Sequence, residues 1–151
     1  MLAPVLLLLA FQAAPVQWTL TAAKPPAAVK AGGRIQVVLK ASIQEGWHLY
    51  SLKKLEGGPI ATTITLPEGQ PFRLAGDIDA SAPLSNYDET FQMDVESYAY
   101  SATFQLPVDA AQDARPGAVT LTVNARFQAC DDKQCLPPRT MKVELPVTIG
   151  Q

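Results

Sequence analysis

Apolar and polar residues alternate with a period of two along much of this chain. Val119, Leu121, Val123, Ala125 and Phe127 interleave with Thr120, Thr122, Asn124 and Arg126. Successive side chains of a strand point to opposite faces, so this pattern predicts a half-buried strand. The same holds for Ile35, Val37, Leu39, Ala41 and Ile43, and for Tyr98, Tyr100, Ala102, Phe104 and Leu106. Met141, Val143, Leu145, Val147 and Ile149 form a fourth such run. Weaker patterns predict strands over Val16–Ala22, Gly46–Leu52 and Ile60–Leu66. Turn signals separate them: Gly32-Gly33, Glu45-Gly46, Gly57-Gly58-Pro59, Pro67-Glu68-Gly69 and Arg115-Pro116-Gly117. No stretch keeps apolar residues at helical spacing for long, and Asp109–Arg115 predicts at most one helical turn. Many short strands cut by turns predict an all-β fold, an antiparallel β-sandwich of the immunoglobulin type. Tyr98 and Tyr100 read as packing residues of one strand.

Composition narrows the function. The 151 residues are enough for one domain with its own core, and 48% hydrophobic against 17% charged excludes a disordered chain. The net charge is −2 and no basic stripe exists, so nucleic acid is not an expected partner. Two cysteines and one histidine fall short of the four ligands of a structural zinc site. No metal and no small-molecule cofactor is therefore expected. Copper held by His48, Met93, Met141 and the cysteines is a weaker alternative, because these residues lie far apart in sequence. No nucleophile, base and orienting group stand together for hydrolysis.

The N-terminus points to export. Met1–Phe11 is an apolar run, Ala13 and Ala14 follow, and the first charged side chain is Lys24. Residues 1–14 read as a signal peptide, with residues 15–151 as the mature domain. The run is too short to cross a bilayer, which takes about 20 residues. It departs from the usual pattern in lacking Lys or Arg at its start, and an N-terminal strand is the plainer alternative. Export would place the two cysteines in an oxidising compartment where they can pair.

Those cysteines are the candidate chemistry. Cys130 and Cys135 enclose Asp131-Asp132-Lys133-Gln134, between a strand ending at Phe127 and another beginning near Arg139. They flank a hairpin tip, where opposed Cα atoms lie about 4.5–5.5 Å apart, within disulfide range. So small a ring stabilises a fold by only about 2 kcal/mol on the chain-entropy account, against nearly 5 for a 100-residue loop. An exposed local pair is instead a plausible exchange centre. Asp131 and Asp132 should raise the thiol pKa values, and Lys133 should oppose them. A purely structural disulfide in an exported binding or scaffold module is the rival reading. Zinc or copper held by Cys130, Cys135 and His48 is the weaker one.

The segment Phe127-Gln128-Ala129-Cys130 through Cys135-Leu136-Pro137-Pro138 resembles the redox hairpin of the DsbD N-terminal domain family, the periplasmic thiol:disulfide interchange proteins. Gly46-Trp47-His48-Leu49-Tyr50-Ser51 with Gly58-Pro59, and Tyr87-Asp88-Glu89-Thr90-Phe91 followed by Tyr98, add to the resemblance in the same order. The resemblance implies an immunoglobulin-like fold and a redox pair at Cys130 and Cys135. It implies a periplasmic protein-disulfide reductase component that passes electrons to thioredoxin-like partners, cytochrome c maturation proteins among them. It also implies a cap loop of Asp88, Glu89 and Phe91, with Phe91 as the lid, and His48 and Tyr50 beside the cysteines. Trp47 falls to the core. The loop between the cysteines is shorter than in the best-known members. The resemblance implies a membrane-embedded electron donor; with nothing following Gln151, either that donor is on a separate chain or the chain is a fragment of a longer protein.

Overall fold

The computed structural model describes residues 14–151. The expected signal peptide thus lies almost wholly outside the described residues. In chain order the strands are β1 (Val16–Ala22), β2 (Ala28–Lys30), β3 (Arg34–Ile43), β4 (His48–Tyr50), β5 (Thr63–Thr65), β6 (Phe72–Leu74) and β7 (Asp79–Ala80). They continue as β8 (Leu84–Asp88), β9 (Met93–Tyr98), β10 (Ser101–Ala110), β11 (Gly117–Phe127), β12 (Ala129–Cys130) and β13 (Arg139–Gly150). No helix occurs among the described residues.

The long alternating runs become the two sheets that enclose the core. β3 lies between β1 and β10, with Leu39 opposite both Leu20 and Phe104. β11 and β13 pair over their whole length, with Leu121 opposite Leu145. Val37, Leu39 and Phe104 from the first sheet join Leu121, Val123 and Ile149 from the second in one buried cluster. Trp18 is half-buried there, its ring 5.3 Å from Phe127 and 6.2 Å from Phe104. Edge-facing positions of the same strands carry Thr, Lys and Glu, which is why the period reads so cleanly.

A third, smaller sheet runs in the order β12-β4-β9-β8. It supplies Leu49, Tyr98 and Ala129 to the main core and holds a second cluster of Tyr50, Val95 and Cys130. The predicted continuous strand from Tyr98 to Leu106 breaks at this junction. Tyr100 has φ 66 and is 69% exposed, so it is not a packing residue. The left-handed step lets the chain end β9 in the third sheet at Tyr98 and start β10 in the first at Ser101. Tyr98 does pack, and its hydroxyl donates to the Ser81 carbonyl at 2.8 Å. The expected strands 46–52 and 60–66 contract to β4 and β5, and β10 runs on to Ala110 where a helical turn was expected.

Arg34 and Asp109 close the far end of the first sheet. The guanidinium donates to both carboxylate oxygens, at 2.7 and 3.2 Å, which holds Asp109 below the ordinary aspartate range.

Phe104→Ala is expected to destabilise the fold by about 3–5 kcal/mol, because its ring is wholly buried. Leu84→Ala, on the exposed outer strand β8, is expected to stay within about 0.5 kcal/mol. Urea midpoints at constant slope check both.

Candidate functional site: a disulfide beside an aromatic cluster

After Phe127 the chain leaves the β11–β13 pair. β12 turns to β4, setting Ala129 opposite Leu49 and Cys130 opposite His48. Cys130 is therefore drawn into the third sheet, while Cys135 stays in the connection between β11 and β13. Cys130 and Cys135 face one another with Cα atoms 4.0 Å apart and are joined by a disulfide. Their surroundings differ: Cys130 is 1% exposed, whereas Cys135 lies on the surface. The expectation of an exposed pair holds for Cys135 alone.

The loop between them is closed without help from the sulfurs. Asp131 N–H donates to the Gln134 carbonyl at 2.8 Å, and Leu136 N–H donates to the Ala129 carbonyl at 2.9 Å. The Asp131 carboxylate accepts from the N–H groups of Lys133 and Gln134, at 2.8 and 2.7 Å. These bonds hold its carboxyl below the usual aspartate range, with Lys133 and His48 charges adding to the effect. An aspartate at the head of a short loop satisfies two backbone donors, the ordinary Asx-turn role. Asp131 is thus first a structural residue of the loop.

The hairpin β8–β9 lies over the other side. Its tip repeats the same device: Asp88 Oδ1 accepts from Thr90 N–H at 2.8 Å and Phe91 N–H at 3.3 Å. Gln92 then takes a left-handed φ of 54 to return the chain. Phe91 is half-buried against the cluster of Tyr50, Val95 and Cys130, with Leu55 and Met93 beside it. Its ring meets Tyr50 edge-on at 6.3 Å. Gly58 makes room for this packing, since a Cβ there would fall 2.8 Å from Leu55 Cβ and 3.2 Å from the Met93 sulfur.

Alternation on β4 sends Leu49 into the main core and leaves His48 and Tyr50 toward the disulfide. The two rings meet edge-on at 5.2 Å, and His48 Nε2 lies 3.2 Å from the Tyr50 hydroxyl. Burial, followed by the charge and hydrogen bonding of Asp88, pushes the Tyr50 hydroxyl up to about 12. Trp47 packs, half-buried, against the main core.

The structure therefore gathers Cys130, Cys135, His48, Tyr50, Asp88 and Phe91 around one depression of about 210 Å³. Glu89 is exposed and does not line it. Thr90 and Gln134 do line it and were not singled out by sequence. Their signal was the Asp two or three residues upstream, which marks an Asx turn and aims the following N–H groups inward. No cluster of His, Cys, Asp and Glu suited to a metal ion occurs among the described residues.

A disulfide with one buried and one surface cysteine, flanked by aromatics at the end of an immunoglobulin-like sandwich, defines a β-module for thiol–disulfide exchange. The chain belongs to the family described as the N-terminal domain of the thiol:disulfide interchange protein DsbD, which it matches over residues 17–146. The reduced form of the DsbD N-terminal domain of Neisseria meningitidis is similar in fold. Its TM-score is 0.53 at 17% identity, covering 81% of this chain and 82% of that one. The N-terminal periplasmic domain of ScsB from Proteus mirabilis superposes with a TM-score of 0.55 at 17% identity. It covers 89% of this chain, which spans 46% of that one. No curated protein matches the chain in sequence.

Asp131→Ala is expected to lower the thermal midpoint at neutral pH. The depressed carboxyl contributes stability that is complete above the ordinary aspartate value of 3.8 and is lost as pH falls through the lower folded value. Melting both proteins between about pH 2 and pH 7 checks this. A gap that widens on acidification contradicts it.

Proposed function

We propose that this chain is a periplasmic thiol–disulfide exchange domain that relays reducing equivalents through a reversible Cys130–Cys135 disulfide to thioredoxin-like proteins. The observation that carries the reading is the asymmetry of the pair: a surface Cys135 bonded to a buried Cys130 beside Phe91. Exchange needs an attacking thiolate with in-line access to the partner's disulfide and a second thiol held close behind it. Cys135 has the access. Cys130, with its Cα 4.0 Å away, is placed to resolve.

In the reduced domain the Cys135 thiolate attacks one sulfur of the partner's disulfide and releases the other as a thiolate, which takes up a proton. The Cys130 thiolate, formed by loss of its proton, then attacks Cys135. That step closes the Cys130–Cys135 bond and frees the partner's second thiol. The partner gains two electrons and this domain loses them. A membrane-embedded donor, reached from the periplasm, would restore the thiols. Phe91, carried on the Asp88-braced turn, is the lid over the pair, and Tyr50 and His48 form its seat.

The hydrogen bonds that close the loop without the sulfurs favour this reading over a structural disulfide. A loop already closed needs no covalent link to persist, and its cysteines can separate with little backbone movement.

Cys130→Ser is expected to trap a mixed disulfide between Cys135 and a thioredoxin-like partner, and Cys135→Ser to trap none. The wild-type pair is expected to equilibrate with glutathione or thioredoxin buffers. A potential far below about −300 mV would mark a structural bond and end the proposal. Phe91→Ala is expected to speed reduction by dithiothreitol about two- to tenfold. That is the range of an edge-to-face aromatic contact, about 0.5–1.5 kcal/mol. Stopped-flow reduction measures it.

A further inference from the structure

Gln128 separates β11 from β12 and stands across from two prolines. The β11–β13 ladder ends at the pair Phe127 and Arg139. The two arms meet again where Leu136 N–H donates to the Ala129 carbonyl at 2.9 Å. Between these contacts lie Gln128 on one arm and Pro137-Pro138 on the other. Proline has no N–H, so neither residue can continue the ladder. The gap is bridged by a side chain instead: Gln128 Nε2 donates to the Leu136 carbonyl at 3.2 Å. A carbonyl only accepts, so the group facing it is the amide NH2. Both backbone polar groups of Leu136 are thus held by the opposite arm, the N–H by Ala129 and the C=O by Gln128. The two cysteines differ in what else holds them. Cys130 is fixed by the β12–β4 pairing and by packing against Tyr50 and Val95. Cys135 lies on the surface, and its bridge to Cys130 is an isolated one. Its C-terminal tether is Leu136.

We propose that Gln128 is a positioning residue for the exchange reaction: its amide holds the Leu136 carbonyl so that, once the disulfide is open, the Cys135 sulfur stays within reach of Cys130. The inference rests on the exchange reading given above. Gln128 does not line the depression, so it acts through Leu136 and not on the sulfurs themselves. In the disulfide state the sulfur–sulfur bond keeps the Cys135 arm in place, and losing the amide costs the whole hydrogen bond. In the dithiol state the arm can swing outward and give its carbonyl to water, so the same loss costs less. The amide therefore stabilises the disulfide more than the dithiol. It also favours the closing step, in which the Cys130 thiolate attacks Cys135 in the mixed disulfide and releases the partner's thiol. Gln128 thus sets how strongly the pair gives up its electrons.

The test equilibrates the full chain with glutathione buffers at one fixed pH. The dithiol and oxidised glutathione give the Cys130–Cys135 disulfide and two molecules of reduced glutathione, so two electrons and two protons leave the domain. Alkylation and mass measurement of the free thiols give the equilibrium constant. Gln128→Ala is expected to lower it about two- to tenfold, the range of one intramolecular hydrogen bond. Gln128→Glu keeps the shape but its carboxylate only accepts, and it is expected to lower the constant at least as much. The thermal midpoint of the oxidised form is expected to fall further than that of the reduced form in both variants. Circular dichroism verifies the fold, and the Glu variant serves if the Ala variant does not fold. An unchanged constant with equal falls in the two midpoints makes the bond merely structural, which overturns the positioning role and leaves the exchange reading standing. A shift in Gln128→Ala without one in Gln128→Glu assigns the effect to packing and also overturns it. A wild-type disulfide that glutathione does not reduce at any ratio overturns the exchange reading, and the role of Gln128 with it.

Discussion

The short pairing of β12 with β4 is the contact on which the site depends. By setting Cys130 opposite His48, it takes one sulfur out of solvent and presses it against Tyr50 and Val95, while the chain turns back within four residues to leave Cys135 outside. The same pairing aligns the His48 and Tyr50 side chains toward the bond, because the β4 residue between them must enter the main core. Were β11 and β13 to continue their ladder past Phe127 instead, both cysteines would stand at an exposed hairpin tip, away from Tyr50 and Val95.

Around that contact the protein uses one device twice. Asp131 in the cysteine loop and Asp88 at the β8–β9 tip each accept two backbone N–H groups just downstream. Each aspartate stiffens a turn while keeping a negative charge beside the depression. The cost is that two acidic turns face one another. Aromatic contacts between Phe91, Tyr50 and His48 supply the attraction that offsets it. A contact assembled from several such small terms has no single strong bond to break.

The rigid part of the molecule lies elsewhere. The two long sheets bury the large aliphatic core and Phe104, and the Arg34–Asp109 pair fastens the first sheet at the end of β3 away from β4. The third sheet borrows stability from that core through Leu49, Tyr98 and Ala129 and carries the chemistry on its opposite side. The family match over residues 17–146 spans all three sheets, and the Neisseria and Proteus domains share the fold.

The all-β class, the four long strands and the cysteine pair were legible in the sequence, because period-two burial and a five-residue cysteine spacing are local properties of the chain. So was the grouping of His48 with Tyr50, which follows from alternation alone. The break at Tyr100 was not, since its side chain fits the alternation and only the left-handed backbone between two sheets overrides it. Short strands such as β8 and β12 were likewise unreadable, as two to five residues carry too little pattern and take their conformation from the neighbour they pair with. Which cysteine is buried, which aspartate braces the turn carrying Phe91 and which side chains share a depression with His48 are relations between segments tens of residues apart. Strand pairing creates those relations, so the tertiary structure alone decided them.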